Sequence, residues 1–208
     1  MATCGCGDVC ASDKMRDSQA RTLRIVLAIN LVMFGVEATA GWLAGSTALM
    51  ADSLDMLGDA LVYGFSLYVL ARDDRWKAIS AFIKGGIMAG FGLFVLVQAI
   101  DKLLHPALPT YETMGAIGLL ALAANSLCLY LLWKHRADDV NMRSVWLCSR
   151  NDIIANSAVI VAGAGVWLTA AQWPDLVVGL GIAALFLRSA THVFTDAVRT
   201  YRAASVKT

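Results

Sequence analysis

The sequence predicts an all-α polytopic membrane protein with six transmembrane helices and both termini cytoplasmic. Three observations carry that expectation. The 208 residues are 58% hydrophobic and only 16% charged, where soluble domains are about a quarter charged, and the mean hydropathy is +0.63. The apolar residues fall into six stretches of about 20, the length that crosses a hydrocarbon layer. The basic residues gather on one side of those stretches. The same composition excludes a disordered chain, which needs low hydrophobicity. Five cysteines are too few for a disulfide scaffold, and no signal peptide precedes them. A formal net charge of +1 leaves no footprint for nucleic acid.

The six stretches run near residues 23–44, 47–71, 78–100, 114–133, 144–169 and 176–193. Pro106, Pro109 and Pro174 fall between them, as helix breakers should. Residues 1–22 read as a cytoplasmic, cysteine-containing tail, 23–194 as the six-helix membrane domain and 195–208 as a short cytoplasmic tail. The connections are too short for a second folded domain. Thirteen Lys and Arg residues lie in the two tails, the second-to-third loop and the fourth-to-fifth loop or, for Arg24, at the tail's edge of the first stretch, against Lys102 alone on the other side. The positive-inside rule therefore places both tails in the cytoplasm.

Ionisable groups within these stretches each ask for a partner or a purpose, because they cost about 3 kcal/mol near a helix centre. For Lys84 and Arg188, nearer the ends of their spans, a structural role suffices, either a buried ion pair or snorkelling to the interface. Glu37 is explained either by a water-lined cavity or by pairing with Lys84. The second span differs. Asp52, Asp55 and Asp59 fall within about 60° of one another on a helix. Three like charges in low dielectric have no structural merit, whereas a bound cation would use them, and the Asp55/Asp59 pair can offer two oxygens to one ion. In the fifth span Cys148 and Asp152 are one turn apart, Asn156 continues that face, and Arg150 points about 160° from Asp152. Two turn-spaced pairs supply four donors, the number zinc prefers. The thiolate leans toward soft ions such as zinc or cadmium, while the carboxylates would also take iron, manganese, cobalt or nickel.

Secondary candidates lie outside these pairs. Asp52 and Asn156 could assist the site. Cys4, Cys6 and Cys10 could capture a soft ion, or be a glycine-loosened tail without function. His192 and Asp196, one turn apart where the sixth helix leaves the membrane, could be an entry pair or a solvated helix end. Cys128 reads as core.

With these residues in view, the sequence resembles the cation diffusion facilitators, exporters of divalent metal ions. The resemblance rests on an ordered series. It comprises Glu37 in the first span, the Gly45-Ser46 turn, the acidic run Asp52-Ser-Leu-Asp55-Met-Leu-Gly-Asp59, Ala-Phe-Ile-Lys84-Gly in the third span, and Asp139-Val-Asn-Met-Arg143 leading into the fifth. It implies a central tetrahedral transport site at Asp55, Asp59, Cys148 and Asp152, export from the cytosol in exchange for protons, a homodimer, no enzymatic cofactor, and residence in a membrane, for a bacterium the inner one. Two features depart from the family pattern. Cys148 stands where histidine is usual. The chain also ends soon after its sixth span, where members commonly continue into a cytoplasmic metal-binding domain, so that dimerisation would fall to the membrane part.

Crowded carboxylates in low dielectric do not all ionise, so an empty site should hold protons and a metal ion should displace them. Glycines four apart, Gly41/Gly45 and Gly86/Gly90, would let helices pack closely and rock. The chief alternative is a membrane-embedded, metal-dependent phosphotransferase of the CDP-alcohol type, but no Asp-Gly-x-x-Ala-Arg precedes Asp55. A monovalent-cation channel would not need a thiolate. A metal sensor without transport is a further reading.

Overall fold

The computed structural model describes residues 6–69, 74–137 and 140–205; the side chains of residues 6–16, Lys84, Cys148, His192 and Asp196 lie outside that description. The elements are α1 (Cys6–Ala44), α2 (Thr47–Val69), α3 (Asp74–Leu104), α4 (Tyr111–Trp133), α5 (Val140–Thr169) and α6 (Trp173–Ser205). All six predicted stretches are helices, and the described residues contain no strand.

Two boundaries correct the sequence reading. From Cys6 onward the amino-terminal segment is helical, with α1 beginning there, because Ala, Met, Lys, Arg and Gln between there and the membrane stretch are good helix formers. Pro174 does not separate two spans but lies in the first turn of α6, where a missing N–H costs nothing.

The α1–α2 turn is tight because both its ends are capped locally. Gly45 has φ 61°. Its N–H bonds to Trp42 O at 3.2 Å, and the next N–H, of Ser46, bonds to Gly41 O at 2.9 Å. That is the double bond of a glycine-terminated helix, available without strain only to glycine. Ser46 then starts α2, its Oγ accepting the Leu49 N–H at 3.0 Å.

Among the described residues, five helices are long and apolar enough to cross a membrane. The exception is α2, predicted as a span but burdened by its three aspartates. It is accommodated by position rather than by composition, since it packs against α1, α3, α5 and α6. α1 also packs on α4, α4 on α5, and α3 chiefly on α6. The outer faces carry exposed Val32, Leu43, Val97, Ile154 and Leu168, the arrangement expected of a chain whose outer solvent is lipid. Among the glycine pairs, Gly41 does meet Leu49 and Met50 of α2, with an added Cβ 3.1 Å from each, but Gly86 and Gly90 face open space. On α3 it is Gly92 that sits against α6.

Candidate metal-binding site

Helical spacing alone brings Asp55 and Asp59 to one face of α2, and Asp152 reaches them from α5. Oxygens of these three carboxylates lie within 4.8 Å of one another. Asp59 and Asp152 are buried and Asp55 half-buried. Tyr63, one turn beyond Asp59, donates its hydroxyl to Asp59 Oδ2 at 2.6 Å, which orients that carboxylate. Cys148 lies one turn before Asp152 on α5, on the same side of the helix by its spacing, although its side chain is outside the described residues.

The three carboxylates border a half-open cavity of about 630 Å³ lined by α2, α5, α6 and Met88 of α3, with exposed Ile154 and Leu185 in its lining. Its other walls include Val62, Ala155, Ile182 and Phe186, and no described lining residue is basic. Three acids clustered on a largely apolar wall present carboxylate oxygens of the kind a cation binds. Arg150 is exposed on the far side of α5, as its helical angle predicts.

Asp52 does not join this group. Asn156 donates through Nδ2 to Asp52 Oδ2 at 2.8 Å, and Asn125 donates through Nδ2 to Asn156 Oδ1 at 2.8 Å. Asp52 and Asn156 thus engage each other in a buried polar chain across α2, α5 and α4. Glu37 is fully buried and faces Asp52. It does not line this cavity, and the side chain of Lys84, its other expected partner, lies outside the described residues. Cys4 lies outside the described residues altogether, and the side chains of Cys6, Cys10, His192 and Asp196 likewise. Cys128 is buried, as expected of core.

Sequence reasoning missed Tyr63 and Asn125. The signal for Tyr63 was its place four residues after Asp59 on a face already marked as polar. Asn125 is a lone amide in an apolar span, and nothing local names its partner.

A profile of the cation efflux transmembrane domain matches residues 23–200. The chain belongs to the cation efflux family. This is a family of transporters and not of enzymes, which sets aside the phosphotransferase reading. Similar proteins include a zinc transporter ZitB of Yersinia pestis, 24% identical over 87% of this chain and 62% of the relative. A cadmium, cobalt and zinc/H(+)-K(+) antiporter of Bacillus velezensis is 26% identical over 83% of this chain and 61% of the relative. The metal cation efflux system protein CzcD of Cupriavidus metallidurans is 22% identical over 86% and 62%. The chain therefore spans about three fifths of the length of these cation efflux relatives.

Proposed function

We propose that the chain carries divalent metal cations, zinc first among them, out of the cytosol in exchange for protons. The observation that carries this reading is the convergence of Asp55, Asp59 and Asp152 from two helices within 4.8 Å at the wall of a half-open cavity. The Cys148 thiolate would complete a four-donor set suited to zinc. The similar proteins named for zinc and cadmium favour the same cargo.

The residues act as follows. Asp55, Asp59 and Asp152 hold protons when the site is empty, since three neighbouring carboxylates away from water do not all ionise. An arriving cation displaces those protons, because ligands bind in their deprotonated form. Tyr63 keeps Asp59 turned toward the cation. Rocking of α3 and α6 against the other four helices would expose the site to each side in turn, with both tails cytoplasmic and the protein a homodimer in a bacterial inner membrane. The test is zinc flux in vesicles reconstituted with the chain. Zinc should move down an opposing pH gradient and stop in Asp152→Ala; flux indifferent to the gradient overturns the exchange, and flux unaffected by Asp152→Ala overturns the site.

A further inference from the structure

Asp175 has no part in the carboxylate site, yet it is almost completely buried, at the end of α6 remote from the tails. Its Oδ1 accepts the Ser46 hydroxyl at 2.6 Å and the Ala48 N–H at 3.0 Å, and its Oδ2 accepts the Thr47 N–H at 2.7 Å. Lys102, at the end of α3, stands 3.6 Å from Oδ2 and also donates to Gly45 O. Gln172 holds Lys102 in place, donating through Nε2 to Lys102 O at 3.2 Å, while its Oε1 accepts the Ala107 N–H at 3.2 Å. One carboxylate of α6 thus satisfies the unpaired N–H groups that open α2 and sits at the positive end of that helix.

α6 and α2 also approach each other tightly here. At Gly179, one turn along α6, an added Cβ would lie 2.7 Å from Thr47 Cγ2 and 3.1 Å from the Thr47 carbonyl carbon. On α2 the cavity wall begins only at Asp55, well beyond Thr47, while on α6 it reaches Val178. The α2 residues between Thr47 and the cavity, Ala48, Ala51 and Leu54, are buried in an apolar seam that includes Ala183 of α6. An ion leaving the carboxylates toward the α1–α2 turn has to pass through that seam.

We propose that Asp175 is the latch of this end of the pathway: passage between the carboxylate site and the α1–α2 turn requires its carboxylate to leave the start of α2 so that α2 and α6 can part. The inference rests on reading Asp55, Asp59 and Asp152 as the transport site. Ala51 reports on it, being one turn from Thr47 and one turn from Asp55 on a single face. The chain bearing Ala51→Cys is reconstituted in lipid vesicles. A membrane-impermeant maleimide is applied to the face holding the α1–α2 turn, and modification of residue 51 is followed by mass spectrometry. Asp175→Asn removes the charge and one acceptor, and should raise the labelling rate about tenfold. Asp175→Glu should return it toward the parent rate, and zinc affinity by calorimetry should stay at the parent value. Ser46→Ala, which removes one of the three bonds, should give a smaller rise and serves if Asp175→Asn does not fold. Labelling that is unchanged or slower in the folded variants overturns the latch. Faster labelling in a protein that binds no zinc supports the latch and sinks the transport reading instead.

Discussion

At the scale of single residues the proposed site draws on four side chains of two helices. Asp55 and Asp59 are fixed relative to each other by helix geometry, and Asp152 closes the group from α5. Removing one ligand should cost more than removing a supporting residue, which typically costs 10–100-fold in metal affinity. Asp152→Ala should therefore weaken zinc binding by more than about 100-fold in calorimetry. Tyr63→Phe keeps every ligand but frees Asp59 Oδ2 from its 2.6 Å hydrogen bond; a loss of about tenfold is expected, and unchanged affinity would show that Tyr63 does not orient the carboxylate. Cys148→Ser should shift preference away from cadmium toward harder ions, read from the ratio of the two affinities.

Among elements, the buried chain from Asn125 through Asn156 to Asp52 joins three helices that each carry one of its members. Asn156→Ala leaves the buried Asp52 carboxylate without that donor. The expected cost is about 1–3 kcal/mol, measured as unfolding in detergent micelles. Close packing between α3 and α6 depends on Gly92, where an added Cβ would lie 2.8 Å from Leu187 Cγ and 3.2 Å from Ala183 O. Gly92→Ala should destabilise by about 1 kcal/mol or more. Gly90→Ala, two residues away in open space, should be neutral or mildly stabilising, since alanine is the better helix former. Equal effects at the two positions would contradict this account of the α3–α6 seam.

For the whole molecule, the coupling of metal to protons is a statement about sign. In the proposed exchange protons and metal compete for the same carboxylate oxygens, so binding should weaken as pH falls and each bound ion should release protons. Calorimetry in two buffers of different ionisation enthalpy should give different apparent heats for zinc; identical heats mean that no proton leaves. Lowering the pH on the loading side should likewise slow zinc flux in vesicles. The arrangement of the helices supports such exchange, because α2, with its acidic burden, is held inside by α1, α3, α5 and α6 while apolar faces such as those of Val32 and Leu168 turn outward.

Much of this was legible in the amino-acid order. Apolar runs of spanning length determine six helices, and i to i+4 spacing determines that Asp55 faces with Asp59 and Cys148 with Asp152, because both are consequences of local backbone geometry. Asp52 has the same local spacing and yet turns to Asn156 and Glu37; which of three aspartates meets Asp152 depends on how α2 is rotated against α5. Asp175 reads in sequence as one acid near a helix start, and only folding sets it 129 residues away against Ser46. Contacts between helices are settled by how all six pack together, and that information is not contained in the periodicity of any one of them.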